Sequence, residues 1–184
     1  MKAKKLLTFF LSIFSALLFG QNSFENCVQK FNEGKYDAAE TSFKEYLNNH
    51  KDNKKAQEYL GDIAFKKKDW NTAIDYYKPL LKSDDNNAVY HFKYGSALGK
   101  KAKEISRFRA VFLLDDIKEA FKKAAELDPN YEEVRMALVK LYVRLPSALG
   151  GDLDTAKFYA DQLKKINSSK GKEAHDIIAA AEWI

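Results

Sequence analysis

An internal repeat is the feature of this sequence that most constrains its fold. Residues of similar type recur at one constant spacing at five positions. These are the small residues Cys27 and Gly61, the aromatics Tyr36 and Trp70, the alanines Ala39 and Ala73, the aromatics Phe43 and Tyr77, and the leucines Leu47 and Leu81. Five matches at one offset of about 34 residues indicate a repeat protein.

The composition favours helices as the repeated element. The chain of 184 residues has only three Pro and eight Gly, and 46% of it is hydrophobic. Two of the glycines, Gly61 and Gly95, lie in segments with helical periodicity, where glycine costs about 1 kcal/mol relative to alanine. We expect each to mark a place where two helices approach closely.

A second set of residues resembles the tetratricopeptide repeat family. The pattern of that family is a Leu-Gly pair, an aromatic residue after a short turn, an Ala-xxx-aromatic element and then Asp-Pro. One repeat matches this pattern at Leu60-Gly61, Trp70, Ala73 and Tyr77, and the next at Tyr94-Gly95, Phe121, Ala124 and Asp128-Pro129-Asn130. The resemblance covers residues 22–167. It implies an all-α fold, a right-handed α-solenoid of about four helix hairpins with a C-terminal capping helix.

The predicted helices form four pairs. The first pair is expected over 22–33 and 36–49, and the second over 54–67 and 70–82. The third pair begins at residue 88 and has its second helix over 115–127, and the fourth is expected over 131–144 and 152–166. The corresponding repeats are 21–53, 54–87, 88–131 and 132–167, within one repeat domain of residues 21–184. A last helix over 171–183, in a cap of residues 168–184, is expected to cover the core with Ile177, Ile178, Ala181 and Trp183. Asp152, and Ser168 or Ser169, are the predicted helix starts.

Residues 1–20 read as a secretory signal peptide. Lys2, Lys4 and Lys5 precede an apolar stretch over 6–19, which is shorter than the roughly 20 residues of a membrane-spanning helix. We expect an exported protein, periplasmic or secreted after cleavage, with a retained anchor as the alternative. Without this segment the net charge of +5 falls to +2, from 28 basic and 26 acidic residues. So weak a basicity does not favour nucleic-acid binding.

The third repeat contains ten extra residues within 99–114. Ile105, Phe108 and Phe112 recur there at helical spacing. One interpretation is a longer helical hairpin with its apolar stripe packed on the body. The other is an amphipathic element that contacts an anionic partner or a membrane surface. The candidate contact residues are Lys101, Lys103, Arg107 and Arg109.

The fourth repeat is lengthened over 145–152, where Pro146 and Gly150-Gly151 predict a shaped turn. Such a loop either merely lengthens the turn or offers free backbone N–H groups to an anion.

Catalytic chemistry is not indicated. His50, His91 and His175 lie in different repeats without metal-ligand spacing, and Cys27 occupies a small packing position. We therefore predict no enzyme activity, no metal site and no cofactor.

The family resemblance implies that the first helix of each pair lines a concave groove. The candidate groove residues are Phe24, Val28, Phe31, Glu58, Asp62, Phe65, Phe92, Ser96, Met136 and Lys140. A second interpretation is that the N-terminal segment or the inserted helix covers some of these aromatics. The predicted function is a non-catalytic scaffold or adaptor in the bacterial cell envelope that binds a protein or peptide through this groove. The alternative is an accessory carrier of a small apolar ligand or lipid, associated with a transport system.

Overall fold

The computed structural model describes residues 23–181, and all regular structure in this range is helical. The predicted signal peptide and the predicted capping residue Trp183 lie outside the described residues. The helices are α1 (23–32), α2 (Tyr36–Asn49), α3 (Lys54–Lys66), α4 (Trp70–Ser83), α5 (Ala88–Glu104), α6 (Arg107–Val111), α7 (Leu114–Leu127), α8 (Glu132–Arg144), α9 (Leu153–Ile166) and α10 (Ser168–Ala181).

The all-α prediction of four helix hairpins followed by one more helix is confirmed. Within the second half of the chain α5 packs on α7, α8 packs on α9, and α10 packs on both α8 and α9. The predicted capping residue Ile178 is buried in α10 against this last hairpin. The chain divides into two compact units between Tyr76 and Tyr77, a boundary that falls within α4.

Aromatic side chains dominate the core of the first unit. The ring of Phe43 in α2 stacks on Tyr59 in α3, with centroids 4.9 Å apart and planes 11° from parallel. Phe24 in α1 meets both rings edge-on at 5.8 and 6.0 Å. Cys27, one turn further along α1, is buried in the same cluster, as its small-residue position predicts.

The second unit contains the close helix approach that the glycine pattern predicts. Gly95 is buried in α5, and a Cβ atom placed there would lie 3.0 Å from the Phe121 ring and 3.1 Å from the Ala120 Cβ. Both neighbours are on α7. The missing side chain therefore lets α5 and α7 pack at a separation that any other residue would widen.

A buried arginine fixes the turn between α7 and α8. The Arg135 guanidinium donates hydrogen bonds to the carbonyl oxygens of Ala125, Asp128 and Tyr131 at 3.1–3.3 Å, and its Nε donates to Gln162 Oε1 at 3.2 Å. The three carbonyls lie in the last turn of α7, just after its end and just before α8, and each thus gains a donor. This contact holds the Asp128-Pro129-Asn130 segment in place.

The insertion in the third repeat is helical, as predicted, but its apolar stripe does not pack on the body. Helix α5 continues to Glu104, and the short helix α6 follows after two residues. Phe108 and Phe112 are 77% and 71% exposed, whereas Ile105 is half-buried. The interpretation of a packed stripe is therefore wrong for the two phenylalanines.

The loop over 145–152 uses its own backbone donors. The N–H of Gly150 donates to Ser147 O at 2.9 Å, that of Gly151 to Pro146 O at 3.0 Å, and that of Asp152 to Tyr142 O at 3.2 Å. Gly150 has φ +82°, and a Cβ at Gly151 would overlap the carbonyl of Leu145. These bonds leave the loop shaped for a turn and not for cradling an anion.

Side-chain caps define two of the later helix starts. Asp152 accepts from the Asp154 N–H at 3.0 Å and begins α9, as predicted. The side chain that caps α10 is that of Asn167, which accepts from the Lys170 N–H at 3.1 Å. The prediction of Ser168 or Ser169 is therefore displaced by one or two residues, since Asn is an equally good N-cap.

Candidate functional site

One face of the second unit carries most of the predicted groove positions that remain accessible. On α5, the residues Phe92, Ser96, Gly99 and Lys103 follow one another at three- or four-residue spacing and share a side of the helix. A Cβ at Gly99 would have no neighbouring atom within 4 Å, so open space lies beside the helix there. Phe92 forms the closed end of this row, with its ring 5.1 Å from Tyr131 and 5.9 Å from Phe121.

Positive charge gathers at the other end of the row. The pKa of Lys103 is lowered by partial burial and then by the positive charges of Arg144, Lys100 and Lys140. Two of these cations, Lys140 and Arg144, are four residues apart on α8. We call Lys100, Lys103, Lys140 and Arg144 the cationic face.

Carboxylates do little to neutralise this face. Lys140 lies 3.8 Å from Glu173 of α10, a long contact between half-exposed side chains. Among the described residues, Lys100, Lys103 and Arg144 have no ion pair. Like charges that carboxylates compensate so little favour the binding of an anionic group.

The sequence-based prediction contains half of this face. Lys103 and Lys140 are among the predicted contacts, whereas Lys100 and Arg144 are not. Helical spacing in the sequence indicates both Lys100 and Arg144. Lys100 lies four residues after Ser96, and Arg144 lies four residues after Lys140, so each continues a predicted row.

The predicted groove positions in the first unit serve mainly in packing. Phe24, Val28 and Phe31 are partly buried against the core, and Phe31 meets Tyr59 edge-on at 5.2 Å. Their spacing places them on the same stripe of α1 as Cys27, which is 3% exposed. A stripe that packs on the core offers little open surface, which favours the interpretation that these side chains are covered. A contact of these three residues with a partner stays a prediction.

One of the three predicted groove residues on α3 is buried. Glu58 is 5% exposed, and its carboxylate accepts a hydrogen bond from Lys55 Nζ at 2.9 Å. It is therefore not an accessible groove acid. Asp62 and Phe65 are half-buried, and the Phe65 ring packs edge-on against Trp70 at 5.1 Å.

Two predicted positions lie elsewhere on the second unit. Met136 is partly buried against the core between α8, α9 and α10. Arg107 and Arg109 on α6 are exposed, and Lys101 is half-buried near the end of α5. That these inserted cations contact a partner stays a prediction.

The three histidines and the cysteine contact neighbouring groups of the protein. His91 Nε2 lies 2.8 Å from Asp85 O, His175 Nε2 lies 2.9 Å from Asp161 Oδ1, and the His50 ring stacks on Tyr46 at 4.1 Å. Burial raises the pKa of the Cys27 thiol, which donates to Ser23 O.

Over residues 23–181 no three His, Cys, Asp or Glu side chains form a group that could hold a metal ion. None of the helices described is both long and apolar enough to cross a bilayer.

Comparison with known proteins places the fold. No protein-family model matches the chain, and no curated protein matches it in sequence. Among solved structures it is similar to a thermophilic tetratricopeptide repeat protein of Thermus thermophilus, with TM-score 0.68 and 22% identity over 88% of this chain and 87% of that one. A tetratricopeptide repeat protein of Parabacteroides merdae gives TM-score 0.71 and 15% identity, over 89% of this chain and 60% of that one.

The chain has the tetratricopeptide repeat fold. Its constant repeat period and the Gly95 packing position agree with that assignment. The same fold also occurs within an enzyme, since a mutant O-GlcNAc transferase of Thermobaculum terrenum matches with TM-score 0.63 and 18% identity. That match covers 79% of this chain but only 26% of the transferase. A tetratricopeptide repeat fold by itself therefore does not specify a reaction.

Proposed function

We propose that this protein is a non-catalytic scaffold that binds an acidic segment of another protein along α5 and α8. The observation that carries the proposal is the cationic face, in which Lys103 lies among three other cations and has a lowered pKa. An incoming carboxylate would relieve that repulsion and gain charge-assisted hydrogen bonds. The tetratricopeptide repeat fold supports a role in protein interaction in general.

The surroundings of the face fit a peptide segment. Open space beside Gly99 gives room for a backbone to approach α5. Partly buried side chains provide apolar surface on the same two helices, Phe92 at the end of the α5 row away from Lys103 and Met136 one turn before Lys140 on α8. A segment that alternates acidic and apolar side chains matches both parts, and apolar contacts would add affinity to the electrostatic ones.

The setting of this scaffold is part of the proposal. The charged start and apolar stretch of residues 1–20 support export to the bacterial cell envelope, in the periplasm or outside the cell. The partner is then an envelope protein. The alternative role as a carrier of an apolar ligand finds no support in the geometry of the described residues.

A charge-reversal experiment tests the proposal. A fluorescein-labelled peptide of alternating Glu and Leu is titrated with the full chain, and fluorescence anisotropy gives Kd. Lys103→Glu with Lys140→Glu should weaken binding at least about tenfold, since each charge-assisted contact contributes roughly 1.5 kcal/mol. Lys122→Glu with Lys157→Glu is the matched control, because both lysines are exposed on α7 and α9 and the change in net charge is equal.

The control should change Kd by less than about threefold, since only long-range electrostatics are affected. Equal weakening by the two double variants would overturn the assignment of the site. So would binding of a Lys-Leu peptide as tight as that of the Glu-Leu peptide. Helical circular dichroism of both variants should match the parent chain.

A further inference from the structure

Helix α6 presents an exposed apolar face. Phe108 and Val111 of α6 and Phe112, the residue that follows it with helical backbone angles, are spaced i, i+3 and i+4, which places them on one side. They are 77%, 42% and 71% exposed. The two rings meet edge-on with centroids 5.5 Å apart, so they form one continuous apolar patch.

Two arginines border this patch. Arg107 and Arg109 are the chain neighbours of Phe108, so each is rotated by about 100° from it, in opposite directions around the helix. Both are exposed, and neither has an ion pair among the described residues. An apolar strip with a cation on each side is the pattern of helices that lie in a membrane interface.

The insertion is much more positively charged than the rest of the chain. Residues 99–114 contain five basic residues and one acid, a net of +4. Residues 21–184 as a whole have 28 basic and 26 acidic residues, a net of +2, so the remainder is net negative. The positive charge is therefore concentrated next to the exposed rings.

We propose that α6 is a contact site for the surface of an anionic lipid bilayer. Phe108, Val111 and Phe112 enter the boundary between headgroups and acyl chains, while Arg107 and Arg109 extend to the lipid phosphates. Guanidinium groups pair with phosphate through two hydrogen bonds, and their long stems allow the head to stay at the polar level. A fluid interface accommodates two neighbouring rings without a preformed pocket.

This inference is separate from the binding of an acidic segment. None of the five residues of the α6 site belongs to the cationic face, so either proposal can fail while the other stands. Helix α6 would hold the scaffold at a membrane surface, whatever segment α5 and α8 bind.

A tryptophan placed in the apolar patch tests the inference. Phe112→Trp in the full chain is mixed with vesicles of equal parts phosphatidylglycerol and bromine-labelled phosphatidylcholine, and with vesicles of bromine-labelled phosphatidylcholine alone. Emission is compared with the parent chain, which contains Trp70 and Trp183. Phe158→Trp is the matched control, since Phe158 is 57% exposed on α9 and lies between Lys157 and Asp161, of opposite charge.

The proposal predicts that the anionic vesicles quench and blue-shift the emission of Phe112→Trp, with a loss at least about twice that of the parent chain. Phe158→Trp should show no loss beyond that of the parent. Adding Arg107→Glu and Arg109→Glu to Phe112→Trp should abolish the extra quenching. Since all three side chains are exposed, circular dichroism should be unchanged.

Three results would overturn the proposal. The first is equal quenching of Phe112→Trp and Phe158→Trp, which would mean that the chain reaches vesicles through another segment. The second is extra quenching that survives charge reversal or is equal in vesicles without phosphatidylglycerol. The third is a blue shift of Phe112→Trp on adding a soluble Glu-Leu peptide without vesicles, which would make α6 a peptide site.

Discussion

Gly95 faces the ring of Phe121 so closely that a Cβ atom there would lie 3.0 Å from both Cδ1 and Cε1. Few side chains in proteins tolerate such a contact. The ring has little freedom to withdraw, because Phe121 is itself 6% exposed in the core. A side chain at this position would therefore require Phe121 or Ala120 to shift by a few tenths of an ångström.

Alanine substitutions at the two glycines of α5 should have opposite effects. Gly95→Ala should lower the free energy of unfolding by about 1 kcal/mol or more, because the added methyl displaces Phe121 and Ala120. Gly99→Ala should raise it by about 0.5–1 kcal/mol, because the new Cβ meets no atom within 4 Å and alanine favours the helix. Urea unfolding monitored by circular dichroism measures both. A gain in stability from Gly95→Ala would contradict the packing described for this site.

Replacing the buried arginine should destabilise the second unit strongly. Arg135→Met should cost about 2–4 kcal/mol, because three carbonyl oxygens around the turn between α7 and α8 and one side-chain amide oxygen lose their donor. Arg144→Met removes an exposed arginine of the same helix and should change stability by less than about 0.5 kcal/mol. Thermal unfolding of both variants checks this prediction, and similar shifts in Tm would contradict it.

Neutralising Lys103 should stabilise the fold while weakening binding. The pKa of Lys103 is lower when folded than when unfolded, so its charged form disfavours folding below the folded pKa. Lys103→Gln should therefore gain a few tenths of a kcal/mol at pH 7, as for exposed charges in general. The difference in unfolding free energy between the parent chain and Lys103→Gln should shrink as the pH rises through the Lys103 pKa. Loss of stability in Lys103→Gln at pH 7 would show that the charge is compensated.

Cys27 should be slow to react in the native protein. Burial raises the pKa of its thiol, although the charge of Lys30 offsets part of that effect, so the thiolate fraction at pH 8 is smaller than in the unfolded chain. We expect alkylation by iodoacetamide to be at least about a hundredfold slower in buffer than in guanidinium chloride, since access requires opening of α1. Comparable rates in the two solvents would place Cys27 outside the core.

The repeat period and the small residues are sufficient to predict the helices. Matches at the constant offset locate the hairpins because Gly95, Ala73 and similar positions leave room for a facing helix. Pro146 and Gly150-Gly151 locate the long turn before α9 because each residue excludes a regular helix there. These features are local or strictly periodic, and for that reason the sequence is enough to read them.

The surface is harder to predict than the helices. Phe108 and Phe112 have the same spacing as a buried stripe, and only the tertiary arrangement leaves their rings exposed. Phe24 and Phe31 differ in the opposite direction, since a row implied to line the groove packs on Tyr59. The grouping of Lys103 with Arg144 joins two helices that are distant in the sequence, a proximity that no single-helix period contains.

Photo-crosslinking from position 99 tests the central claim most directly. Benzoylphenylalanine in place of Gly99 would extend into open space beside α5. The same group in place of the exposed Val89 of α5 is the control. On irradiation with the Glu-Leu peptide, position 99 should form a covalent adduct that excess unlabelled peptide suppresses, and position 89 should not. Equal labelling at both positions, or labelling at 89 alone, would contradict a binding site along α5 and α8.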